Sequence, residues 1–300
     1  MAVGVLLPVF LVVGAGWLVG RGLELDPQPL AKLTFWILSP ALIFESLRTA
    51  QLPLEHYGIV AAFVAAHYGG MYLLSLAVRR LLFPKDGATQ AAVSLTLVFG
   101  NCGNLGLPIL SFAFGQEGFD VGVVFLAANT VLLATLGVAI ASREEQGSWG
   151  RALGNLARVP WPYAVVAAVL FRFLIPLPQW AAQATGLLSE GAIPALLLLL
   201  GLQLARIRPR EIARDASWLA VLRLSLASLL AWGLATLFGV QGVMQGSLIV
   251  EGSVPTAVNS FLLATQFQRR PDLVAGALLL STMLSLGTLS LTLFLLGPTG

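Results

Sequence analysis

Nine residues, Gly100-Asn101-Cys102-Gly103-Asn104-Leu105-Gly106-Leu107-Pro108, interrupt an apolar stretch that runs from about residue 88 to 114. Lipid supplies no water to bond loose backbone groups, so a helix that crosses it must satisfy its own N–H and C=O groups. Three glycines, one proline and two asparagines in nine residues work against that. Such a break survives at membrane depth only where protein or a water-filled cavity covers it. Discontinuous helices of this kind mark transport sites.

The rest of the chain supports a membrane setting. Hydrophobic residues make up 57% of it and charged residues 10%, against about 25% charged in a soluble domain. Mean hydropathy is +0.87. The fold class expected is therefore an all-α polytopic membrane protein. The pI of 9.4 reflects basic cytoplasmic loops rather than nucleic-acid binding. The single cysteine, Cys102, excludes an internal disulfide and a Cys-only metal site. No Lys or Arg precedes the first apolar run, which predicts a retained first span rather than a cleaved signal peptide.

Apolar runs bounded by polar turns predict ten transmembrane helices, near 2–20, 30–48, 57–79, 88–114, 119–141, 159–176, 182–204, 215–238, 242–267 and 272–296. Fourteen of the seventeen Lys and Arg fall in odd-numbered loops. Only Arg48 and Arg172 fall in even ones, and Arg223 lies within the eighth span. The positive-inside rule then puts odd loops in the cytoplasm and both termini outside, in a multi-pass protein of the cell (inner) membrane.

The chain also reads as two halves. Pro-Ala-Leu recurs at Pro40 and Pro194, and spans four and nine are both polar-broken and both carry a proline, Pro108 and Pro255. Five spans per half is an odd number, so residues 1–141 and 159–300 form inverted repeats joined by a short cytoplasmic linker, 142–158.

The ninth span contains Glu251-Gly252-Ser253-Val254-Pro255-Thr256-Ala257-Val258-Asn259. A break near 252–255 frees carbonyls before it and amides after it. Proline suits the first position of the following half-helix, for Pro255 as for Pro108. Two half-helix N-termini converging at the midplane make an anion site without a lysine. The site expected is built from Asn101, Gly103, Asn104, Pro108, Pro255, Thr256 and Asn259. Glu251 lies about 13 Å into its helix at 1.5 Å per residue, near the midplane. An ionisable group there is a functional candidate by default. It suits a coupling proton, and equally a sodium ion, which takes carboxylate oxygens. No other cofactor and no metal site is expected.

Other polar residues carry more than one reading. Asn129 either lines the site or bonds between helices. Arg223 pairs with Glu251, meets an anionic substrate or snorkels to the cytoplasmic face. His67 is a packing residue or a proton relay, and Glu45 a site residue or an interface group. Glu190 and Gln203 read as interhelical bonds, and Trp149, Trp161 and Trp180 as interface anchors. No aspartate falls in a predicted membrane core.

Laid out this way, Gly100–Pro108 and Pro255-Thr256-Ala257-Val258-Asn259 resemble the auxin efflux carrier family, and the ten-span pattern extends the likeness over the chain. The resemblance implies the fold of bile acid:sodium symporters and sodium/proton antiporters. In that fold spans 1, 2, 6 and 7 form a scaffold, spans 3–5 and 8–10 a mobile transport domain, and spans 4 and 9 cross at their breaks. It implies transport of a small organic anion by alternating access, in a homodimer. The short central linker resembles bacterial members. The alternatives are a sodium/proton antiporter or sodium symporter, a passive channel, and a membrane enzyme. The last lacks any Gly-x-Ser-x-Gly or His-Glu-x-x-His motif, so the chain is read as not an enzyme.

Overall fold

The computed structural model describes residues 2–50, 52–83, 85–142, 160–207 and 214–297, and these are helical with no strand among them. All but the first residue of the predicted linker lies outside the described residues, as do Trp149 and several of the loop arginines. The helices are α1 (Ala2–Gly22), α2 (Gln28–Thr49), α3 (Leu54–Leu82), α4 (Gly87–Val98), α5 (Cys102–Ala141), α6 (Trp161–Phe173), α7 (Gln179–Ala205), α8 (Arg214–Leu237), α9 (Gly242–Ser253), α10 (Val258–Gln266) and α11 (Pro271–Leu296).

Seven of these are long and apolar enough to cross a membrane: α1, α2, α3, α5, α7, α8 and α11. The other four are short for physical reasons. The polar breaks divide spans four and nine, leaving α4, α9 and α10 at 12, 12 and 9 residues. In α6 the helix ends at Phe173, before the Pro-containing segment that follows. The change of direction predicted between spans four and five occurs inside α5 at Gly115, with φ 62° and ψ −149°. Only glycine populates that region readily.

Two packing groups are visible. Helix α7 packs closely on α1 and on α2, and α2 packs on α6. Among the remaining helices, α9 and α3 pack on α5, α8 packs on α9 and α11, and α3 packs also on α4 and α8. The α1–α7 contact is made backbone to backbone. A Cβ on Gly201 would run into the backbone of Val13, Gly16 and Trp17, and one on Gly16 into that of Leu198. Small residues let transmembrane helices approach in this way.

Asp86 caps α4 by accepting from the Thr89 amide at 2.8 Å. That bond holds its carboxyl below the usual carboxylate range. The capping contribution is therefore complete above the unfolded-chain value and fades as the pH falls through the lowered one. Asp86→Ala is expected to cost about 1 kcal/mol, measured as a fall in thermal midpoint at neutral pH that narrows in acid.

Candidate functional site at the crossing of two broken helices

Between α4 and α5, and between α9 and α10, the chain runs extended, and the two segments bond to each other. Asn101 N donates to Pro255 O (2.8 Å) and Ala257 N to Phe99 O (2.9 Å), forming an antiparallel bridge between Gly100 and Thr256. Backbone groups that each break would strand are thus satisfied by the other break. Thr256 adds to the joint: its amide donates to Ser281 Oγ (3.2 Å) and its hydroxyl to Thr96 O (3.3 Å).

This geometry changes the expected role of Pro255. The second half-helix starts at Val258 with Ala257 as its cap, so Pro255 is not its first residue. Val254 and Ala257 are extended, with ψ 152° and 141°, because the segment must lie flat to bridge to Gly100. Pro108 does sit at the start of the regular helix from Leu107, after a π-helical turn over Cys102–Gly106.

A cavity of about 250 Å³ lies beside this bridge. Asn101, Gly103, Asn104, Asn129 and Asn259 line it, together with Lys32, Thr34, Ser39, Trp161 and Gln203. Cys102, Gly103 and Asn104 from one half-helix start and Ala257, Val258 and Asn259 from the other share its wall. First-turn amides have no intrahelical acceptor, so both starts turn partial positive charge toward this space. Asn101 Nδ2, Asn129 Oδ1 and Gln203 Oε1 are buried and make no hydrogen bond among the described residues. Pro108, Pro255 and Thr256 are buried and do not line the cavity.

Glu251 is 1% exposed and lies apart from that wall. Its carboxylate is packed against Gly106 and Gly122: a Cβ on Gly106 would strike it, and one on Gly122 would stand 3.2 Å from Oε1. Neither oxygen has a hydrogen-bond partner among the described residues. The Cys102 thiol lies beside this carboxyl and donates to Gly100 O at 3.4 Å, with Tyr68 Oη also 3.4 Å from its sulfur.

Arg223 takes none of its three expected positions. It is 1% exposed and donates to backbone carbonyls: Nη1 to Leu97 O (2.8 Å) and Val98 O (3.2 Å), Nε and Nη2 to Val254 O (3.2 and 2.9 Å). His67 is buried, with Nε2 3.3 Å from Ala227 O and its ring stacked on Phe63, which is a packing arrangement. Glu45 lies far along α2, bonded to Arg48 and to the Thr185 hydroxyl (3.0 Å).

Some residues carry more than sequence reasoning assigned them. Lys32 counted only as loop charge, yet it places a cation at the cavity wall. Trp161 is no simple interface anchor: its Nε1 donates to Phe35 O (3.1 Å) and its ring lines the cavity. Asp120 is buried at 3% exposure, one turn beyond Gly115, and accepts from Gln116 Nε2 at 2.7 Å.

An all-helical, lipid-embedded chain whose breaks face a polar cavity is built as a membrane transporter. The family model described as membrane transport protein matches residues 1–152 and 151–294, and the chain belongs to that family, the auxin efflux carrier family. An "Uncharacterized transporter" of Methanothermobacter thermautotrophicus is 28% identical over 276 residues, covering 89% of this chain and 88% of the relative. A "Putative malonate transporter" of Rhizobium meliloti is 25% identical over 310 residues, covering 98% and 95%. Auxin efflux carrier component 1 of Arabidopsis thaliana matches at 25% over 132 residues, 43% of this chain and 21% of the plant protein. The family and these relatives are transporters.

Proposed function

We propose that this protein is a secondary active transporter of a small carboxylate anion, working by alternating access with a coupling proton or sodium ion at Glu251. One observation carries the reading. The cavity joins a lysine, two helix starts and four asparagines, while a separate buried carboxylate, without a hydrogen-bond partner among the described residues, lies outside its wall. A bare carboxylate at membrane depth is expensive, so a proton or cation accompanies it for part of the cycle. At about 250 Å³ the cavity falls just under the roughly 300–1,000 Å³ of sites for drug-sized ligands, which suits a small acid. The relative named for malonate points to the same class.

The two packing groups support a division into a scaffold (α1, α2, α6, α7) and a transport domain (the rest), with the ten predicted spans arranged as inverted five-helix repeats. Lys32, Trp161 and Gln203 border loops that the positive-inside rule places in the cytoplasm, so this conformation reads as inward-open. On the opposite side, Arg172 Nη1 donates to Leu47 O and to Tyr57 Oη, both at 2.9 Å, joining α6 to α3 across the division. A homodimer through the scaffold in the cell membrane, with both termini outside, completes the reading.

Counterflow in proteoliposomes tests it: protein loaded with unlabelled malonate should take up labelled malonate faster than empty vesicles do. Lys32→Gln should raise the KM roughly two- to fivefold, as expected for an exposed charge worth about 0.5–1 kcal/mol, with little change in maximal rate. An unchanged KM would remove Lys32 from the site.

A further inference from the structure

The ends of α4 and α9 expose carbonyl oxygens at the crossing, and the C-terminal end of a helix carries a partial negative charge of about half an electron. Two such ends meeting in a dry interior form a cation site. In discontinuous transporter helices, unwound carbonyls and half-helix C-termini of this kind hold sodium. Here the space between them is filled from α8. The Arg223 guanidinium, fully buried, makes four hydrogen bonds to three carbonyls, two at the end of α4 and one at the end of α9. Gly100 completes the fit, since a Cβ there would collide with Arg223 Nη2 and with Val254 Cγ2.

We propose that Arg223 is a built-in cation, a specificity-determining residue that occupies the place of a coupling sodium ion and makes this chain indifferent to sodium. This deepens the transport reading and rests on it for its functional meaning: with the carbonyl site filled by a tethered guanidinium, the coupling ion left for Glu251 is a proton. The fork geometry matters. A guanidinium presents five donors in a fixed plane and is always charged, so it spans two helix ends that a point charge would hold one at a time. It also binds α8 to both halves of the crossing, which then travel as one body.

The test uses thermal stability of the purified full-length protein in detergent, with no substrate present. Wild-type protein should melt at the same temperature in sodium and in choline chloride. Arg223→Ala should melt roughly 5–10 °C lower, on the size scaling of thermal unfolding, and regain part of that loss in millimolar guanidinium chloride but not in choline. Gly100 borders the cavity, which gives the small cation a way in. Arg223→Lys, which keeps the charge without the fork, should fall between the two. Sodium stabilisation of the wild type, or an Arg223→Ala variant as stable as the wild type and blind to guanidinium, would overturn the proposal. If Arg223→Ala does not fold, the wild-type sodium comparison and Arg223→Lys decide the matter. Wild-type counterflow should likewise be equal in sodium and choline. Absence of counterflow with every acid tried would count against the transport reading instead, and the melting data would still stand, because they involve no substrate.

Discussion

Glu251→Gln will abolish gradient-driven accumulation while leaving the protein folded. Each coupled proton contributes 1.36 kcal/mol per pH unit, about a tenfold concentration ratio at one unit. Wild-type proteoliposomes should approach that ratio for a labelled small dicarboxylate, and the variant should stop near equal concentrations. The substitution is nearly isosteric and removes a charge whose oxygens make no hydrogen bond among the described residues. The melting temperature should therefore hold or rise. That combination separates a coupling group from a structural acid, whose loss would lower stability along with transport. A variant that accumulates substrate as the wild type does would remove Glu251 from the mechanism.

The second large effect concerns the α1–α7 contact. Gly201→Ala places a methyl group against the backbone of Val13, Gly16 and Trp17. Backbone cannot swing aside as a side chain does, so the helices must separate and lose the packing that joins them. Overpacking costs about 1–3 kcal/mol and sometimes more, and this site belongs at the upper end. Gly14→Ala, on the partner helix α1, meets nothing within 4 Å and should be neutral. Melting curves of the two variants in one detergent make the comparison. Equal stability would mean that the close approach is not maintained in solution.

Several of these features were legible in the chain. Long apolar runs and their polar interruptions reveal the helices and the positions of the breaks, since lipid punishes unpaired backbone wherever it occurs. The burial of Glu251 follows from its depth in an apolar run. Asn101, Asn104 and Asn259 reach the cavity because each sits at the start of a half-helix.

The remainder depends on residues far apart in sequence. Nothing local in Pro255 reveals that its carbonyl will accept from Asn101, so the bridge and the late start of α10 are visible only once two segments meet. Arg223 looks from the sequence like any charge one or two turns inside a span. Its role needs Leu97, Val98 and Val254 in one place. Lys32 was masked by its position at the edge of an apolar run, where a basic residue usually marks only the cytoplasmic face. Gly16 and Gly201 do not stand out among the chain's 31 glycines.

The central claim is that the crossing drives uphill transport rather than conducting passively. The most direct measurement is uptake of labelled malonate into proteoliposomes under an imposed pH gradient, followed to steady state. The account predicts accumulation beyond the external concentration that collapses when a protonophore is added. Uptake that levels at equal concentrations inside and out, with or without the gradient, would contradict it.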